Sequence, residues 1–165
     1  MIGPNLDTES KVVNVGLVSG GFDPLHVGHV NMINDVAFAM DEVWVILNND
    51  NWLMNKKGFV FMPQDEREAI MMSLKGVTRV YLTDHKLNDT DTTVCNAIFD
   101  IVDNAPDTHW FTFFNGGDRG PKETPEAEIC KTLDVEIIYN AGKSKIQSSS
   151  ELVLKAANKI NSNQK

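Results

Sequence analysis

Short β-rich apolar runs alternate with segments of helical periodicity along this chain, and that alternation constrains its fold more than any other feature. Val12–Val18 is a continuous run of the kind expected for a strand buried on both faces. In His26–Met40, the residues Val27, Val30, Ile33, Ala37 and Met40 recur at helical spacing and predict a core-facing stripe. Val43–Leu47 reads as the second strand, Asn48–Pro63 as a long loop, and Asp65–Lys75 as a helix stopped by Gly76. Val77–Leu82 reads as the third strand. Asp91–Asn104 reads as a helix with an aspartate at its start and Val94, Ala97, Ile98, Ile101 and Val102 on one face. Trp110–Phe114 is the fourth expected strand, Pro125–Leu133 a shorter helix, and Val135–Tyr139 the fifth strand. A last helix from about Ser149 to Ile160 is expected to bury Val153, Ala156, Ala157 and Ile160. Strands separated by helices imply a single-domain α/β fold with a five-stranded parallel, doubly wound sheet. Such sheets take ligands outside the carboxyl ends of their strands, at the switch point. Gly20–His29, Asn48–Lys57 and Asn115–Arg119 leave strands at that edge, and Lys143–Ser150 also leads from a strand into a helix.

A chain of 165 residues accommodates one domain with a full core. We expect that domain over residues 11–160, with a polar N-terminal tail at 1–10 and a frayed end at 161–165. No apolar run approaches the ~18 residues of a membrane span, and residues 1–10 lack a signal-peptide core, so a cytoplasmic location is expected. Cys95 and Cys130 fall inside expected helices without metal spacing, as buried thiols of a reducing compartment do. The net charge of −8 disfavours nucleic acid as a partner. Lys56, Lys57, Arg67, Arg119, Lys122, Lys143 and Lys145 nevertheless gather at loops and helix starts, which suits a small polyanionic ligand.

The first of those junctions carries the chemistry. Residues 20–29 read Gly-Gly-Phe-Asp-Pro-Leu-His-Val-Gly-His, so a buried strand ends at a glycine pair and a helix opens with His26 and His29. Side chains three apart share one helical face, and here that face lies in the first turn, where free amides and the macrodipole attract anions. Gly28 between them leaves room for a ligand to approach. Together these groups make a phosphate site. A zinc site at His26 and His29 lacks a third ligand. His85 and His109 fall at loop or strand edges, Trp44, Trp110 and Phe111–Phe114 read as sheet core, and Trp52 is the aromatic most suited to touch a ligand.

The spacing Gly20-x-Phe22-Asp23-x-x-His26-x-Gly28-His29 resembles the GxFDxxHxGH signature of the cytidylyltransferase-like nucleotidyltransferases. That family includes glycerol-3-phosphate cytidylyltransferase and heptose-1-phosphate adenylyltransferase. The resemblance implies a Rossmann-like fold and transfer of a nucleotidyl group from CTP or ATP to a phosphorylated sugar or polyol, with release of pyrophosphate. It further implies magnesium carried by the triphosphate and a homodimer. His26 and His29 would then donate hydrogen bonds to the reacting phosphate. Gly20, Gly21, Phe22, Asp23 and Gly28 would form the nucleotide loop, with Asp23 first of all structural. The acceptor phosphate is largely ionised at neutral pH, so no general base is required.

Three further segments extend the resemblance. Lys143–Ser150 is similar to the family's RTxGISTT segment, which implies that Lys145, Ser148, Ser149 and Ser150 hold the β- and γ-phosphates, with lysine in place of arginine. Lys56 aligns with a family lysine at the α-phosphate, while Lys57 and Arg67 align with groups that hold the acceptor phosphate. Gly116, Gly117 and Asp118 match the GGD of the adenylyltransferases more closely than the GDDW of the cytidylyltransferases, and would receive base and ribose. A non-catalytic nucleotide sensor on the same fold is the alternative reading.

Overall fold

The structure, a computed structural model, describes residues 11–117, 120–142 and 147–162. Its strands are β1 (Val13–Gly20), β2 (Glu42–Leu47), β3 (Val77–Leu82), β4 (His109–Gly116) and β5 (Glu136–Ala141). Its helices are α1 (Val27–Ala39), α2 (Asp50–Lys57), α3 (Gln64–Ser73), α4 (Cys95–Asp103), α5 (Ala127–Thr132) and α6 (Ser149–Ser162). All five strands are parallel, in the order β3-β2-β1-β4-β5. The chain winds outward from β1 to β3, then crosses back to β4 on the other side of β1. A cleft therefore opens between the carboxyl ends of β1 and β4, where Gly20 and Gly116 close their strands.

Side-chain alternation along the central strands divides the core in two. Val15 and Leu17 join Trp44, Ile46, Ile98 and Phe113 on one face. Val18 joins Ile33, Val36, Val43, Val45 and Met71 on the other. Helix α1 lies so close to the sheet that a side chain at Gly16 would overlap Val36. Its buried residues are Met32, Ile33 and Val36, so the buried stripe is rotated from the expected one and Val27 is exposed.

Other departures from the sequence expectations have local causes. The stretch expected to be a loop contains α2, capped by the Asn49 side chain on the Trp52 amide (2.9 Å) and ended by Gly58 at φ 77°. Only Leu53 of α2 is buried, so the helix has no apolar periodicity to read. Asp91 does not cap α4: its Oδ1 accepts from the Thr93 amide in a preceding turn, and the helix begins at Cys95. Asn161 and Ser162 are helical rather than frayed. Beyond Val153, α6 is exposed, so Ala156, Ala157 and Ile160 lie on the surface instead of in the core. Trp110 is likewise exposed, as is its cross-strand partner Asn14, because that face of the sheet is uncovered at its amino end. Among the described residues no helix is long and apolar enough to cross a membrane.

Candidate active site

A cavity of about 560 Å³ fills the cleft between the ends of β1 and β4. The start of α1, the end of α2, the approach to α4, the end of β4 and the start of α6 all contribute to its walls.

The start of α1 holds both histidines by an unusual cap. His26 is the N-cap, in extended backbone outside the helix, and its Nδ1 accepts from the Gly28 amide at 3.2 Å. His29 reaches back, and its Nδ1 accepts from the His26 amide at 3.3 Å. This is the reciprocal geometry of a capping box, built from two imidazoles in place of a hydroxyl and a carboxylate. The rings stack with centroids 3.7 Å apart and planes 18° from parallel. They meet because the cap folds back over the first turn, not because both sit on one helical face as the spacing suggests. Gly28 is needed for that fold: a Cβ there would lie 3.1 Å from the His26 ring. The glycine makes room for the histidine first, although it also lines the cavity.

The cap fixes the chemistry of both rings. An imidazole accepting at Nδ1 is neutral and carries its proton on Nε2. Burial, then the neighbouring His26 and Lys57, hold the His29 pKa down at about 3. His29 is therefore a neutral imidazole at the cavity wall, beside the His26 ring stacked on it.

Behind them lies a scaffold. Phe22, at φ 48° and buried, packs edge-on against the His29 ring at 4.8 Å. It props the histidine and does not line the cavity. Asp23 is wholly buried, and its two oxygens accept from the amides of Phe61 (2.7 Å) and Met62 (2.6 Å). Arg67 corrects the sequence expectation. It is 1% exposed, and it donates to the carbonyls of Met62, Gly21 and Asn48 and to Asp50 Oδ1 at 2.6–2.9 Å. With four of its five N–H donors bonded to the protein and no part in the cavity lining, Arg67 ties the end of β1, the end of β2 and α2 together. Gly21, whose carbonyl it takes, belongs to this scaffold too, whereas Gly20 lines the cavity.

The two lysines separate as well. Lys57 lines the cavity and Lys56 is exposed elsewhere on α2, since adjacent helical residues point about 100° apart. Burial lowers the Lys57 pKa, opposed by Asp23 and reinforced by Arg67. The preference for Lys56 over Lys57 at the reacting phosphate is therefore reversed.

At the facing wall, the three serines have three different situations. Ser148 caps α6, its Oγ accepting from the Glu151 amide at 3.2 Å. Ser149 is buried and its hydroxyl donates to the Pro24 carbonyl at 2.8 Å, joining α6 to the histidine loop. Ser150 is exposed, and all three line the cavity. Gly116 and Gly117 also line it, Gly117 at φ 81° with open space around it. Lys145 and Asp118 lie outside the described residues, as do Lys143 and Arg119.

The cavity also gathers residues the sequence did not single out: Asn48, Thr92, Asn115 and Glu126. Asn48 carries a buried Oδ1 with no hydrogen-bond partner among the described residues. Trp52 lines the cavity as expected, its indole N–H bonded to the Thr92 carbonyl at 2.9 Å. His85 lies in the loop after β3, as expected, and is buried there as a strut: Nε2 donates to the Thr93 carbonyl (3.0 Å), and Nδ1 meets the Thr83 hydroxyl (2.9 Å). Cys130 is buried, and burial ahead of Glu126 pushes its thiol up to about 12; half-buried Cys95 is shifted the same way. Both remain protonated thiols.

Comparison with known proteins agrees with this geometry. A family model described as cytidylyltransferase-like matches residues 17–106. FAD synthase from Thermococcus onnurineus (strain NA1) is 35% identical over 75 residues, 45% of this chain and 49% of that protein. The bifunctional protein HldE from Caulobacter vibrioides is 35% identical over 77 residues, 46% of this chain and 16% of its own. The chain thus spans about half the length of the FAD synthases it matches. Among solved structures, the lipopolysaccharide core biosynthesis protein from Thermoplasma volcanium GSS1 aligns with a TM-score of 0.59 at 22% identity, covering 78% of this chain and 96% of its own. That likeness is one of fold.

Proposed function

The chain belongs to the cytidylyltransferase-like family, and on that premise we propose that it is a nucleotidyltransferase joining a nucleoside triphosphate to a phosphorylated small molecule. The observation that carries the reading is the paired-histidine cap, which sets the His26 and His29 rings at the cavity wall together with Lys57. In the proposed step an acceptor phosphate oxygen bonds to the α-phosphorus and the bond to the bridging oxygen of pyrophosphate breaks. Negative charge grows on the α-phosphoryl oxygens, where preorganised donors act most strongly. His26 and His29 supply those donors and Lys57 supplies a cation. The opening turn of α6, through Ser148 and Ser150, meets the pyrophosphate portion.

ATP is our preferred donor over CTP. The support is the resemblance at Gly116–Asp118 and the FAD synthase relatives, whose named product is an adenine dinucleotide. Magnesium enters this reading with the triphosphate. Asp23 has both oxygens committed to amides, and no group of three potential ligands occurs among the described residues. We assign it no step. We also propose a homodimer, supported by the exposed apolar residues Leu154 and Ile160 of α6, and a cytoplasmic location, supported by two free cysteines. Analytical ultracentrifugation finding only monomer at micromolar concentration would refute the dimer.

The deciding experiment is pyrophosphate release from each of the four nucleoside triphosphates, with magnesium, across phosphorylated sugars and polyols. ATP is expected to be turned over fastest. Triphosphate binding without pyrophosphate release under any acceptor would instead identify a sensor.

A further inference from the structure

The cavity contains a buried carboxylate that the proposed chemistry does not use. Glu126 is 9% exposed and lines the cavity. Its Oε1 accepts one hydrogen bond, from the Val94 amide at 3.2 Å, and the ion pair seen among the described residues, Arg67–Asp50, does not involve it. A carboxylate has about four acceptor sites, and among the described residues this one has a single hydrogen-bond partner, the Val94 amide. The segment carrying it is pinned. The Thr124 hydroxyl, two residues earlier, donates to the Gly120 carbonyl at 3.0 Å and accepts from Asn115 Nδ2 at 2.8 Å. Glu126 is thus held in place at the cavity wall, with one donor among the described residues.

We infer that Glu126 selects the acceptor, receiving hydrogen bonds from hydroxyl groups at the end of that molecule remote from its phosphate. This rests on the nucleotidyltransferase reading. Position supports the assignment. Glu126 itself is bonded to the approach to α4, which Trp52 and Thr92 tie to α2, while its segment is anchored through Thr124 to Asn115, next to the Gly116–Gly117 flank assigned to the nucleotide. Hydroxyl groups fit better than an ammonium group. Thr92 and Asn115, on the same stretches of wall, carry neutral groups that both donate and accept, as a run of hydroxyls does. An ammonium only donates. The other carboxylate of this wall, Glu123, is exposed at the rim.

The test compares wild type with Glu126→Gln, using ATP and four phosphate acceptors: glycerol 3-phosphate, a hexose 1-phosphate, n-propyl phosphate and phosphoethanolamine. Wild type is expected to favour the hydroxylated acceptors over propyl phosphate. In Glu126→Gln that preference should shrink by about 10-fold or more through a raised acceptor KM, with the KM for ATP unchanged, because sites built to bind a hydroxyl discriminate strongly through it. A raised KM for ATP would overturn the inference by putting the carboxylate on the ribose. Equal losses for propyl phosphate, or a wild type that prefers phosphoethanolamine, would overturn it too. Calorimetric titration of the same phosphates, repeated with Glu126→Asp in case the glutamine variant does not fold, reads the inference without turnover. Unchanged affinity for the hydroxylated probes would refute it, whereas absent pyrophosphate release beside altered affinity would refute only the transferase reading.

Discussion

Two helix starts face each other across the cavity, and they are built in opposite ways. At α1, nearly every backbone and side-chain group is committed. The histidines cap each other's turn, Phe22 backs His29, Asp23 holds two amides, and Arg67 fastens the loop to β2 and α2. At α6, one serine caps the helix, another reaches Pro24, and beyond Val153 the helix stands in solvent. The contrast teaches that one wall is preorganised by the core, whereas the other takes its position from the first through Ser149. Donors that stabilise a transition state must not move as charge develops, so the rigid wall is the proper place for them. A wall that receives and releases pyrophosphate has no such requirement.

The sharpest way to break that contrast is to remove the fastening behind α1. Arg67→Met leaves three carbonyls and Asp50 without their donor, and should cost about 3–5 kcal/mol of stability, as breaking a buried charged network does. Urea unfolding is the measurement; a loss below about 1 kcal/mol would return Arg67 to the list of phosphate ligands. Next in size, His29→Ala should fold normally yet lower kcat by about 10²–10³, equivalent to about 2.7–4 kcal/mol of barrier. Steady-state kinetics with unchanged kcat would remove His29 from the chemistry.

Acid is a milder probe of the same wall. The folded pKa of His29, about 3, lies below its ordinary 6.5, so the unfolded chain takes up this proton first. The neutral ring's contribution is fully present above pH 6.5 and is lost as pH falls from there toward 3, by at most about 1.4 kcal/mol per pH unit. Unfolding curves of wild type and His29→Gln should converge or cross over that interval; parallel curves would contradict the buried neutral imidazole.

Across the cavity, Ser149→Ala should cost about 1–2 kcal/mol of stability by leaving the Pro24 carbonyl unpaired. It should also weaken triphosphate binding several-fold in a titration while leaving kcat near normal. An equal fall in kcat would mean that the two walls are coupled more tightly than one hydrogen bond implies. The smallest effect belongs to Lys56→Ala, which should change stability by less than about 0.5 kcal/mol and leave turnover intact, while Lys57→Ala impairs turnover. The reverse ranking would restore the choice made from sequence.

Periodicity and motif spacing located the elements that form the cavity wall. β1, the opening of α1 and the carboxyl-end cleft follow from a β-rich run, a glycine pair and two histidines, all local signals. α2 escaped because a helix with one buried residue has no stripe. Arg67 was misread because an arginine in a first helical turn looks the same whether it faces phosphate or three carbonyls.

What the amino-acid order determined by itself is the parallel α/β scaffold and the place where its chemistry collects, because strand and helix periods and glycine breaks act over a few residues. Tertiary structure alone decided which polar groups remain available to a ligand. Asp23, Arg67 and Ser149 spend their hydrogen bonds on backbone distant in sequence, and Glu126 is left with one among the described residues. Hydrogen-bond saturation depends on which distant segments meet, and no local pattern of residues encodes it.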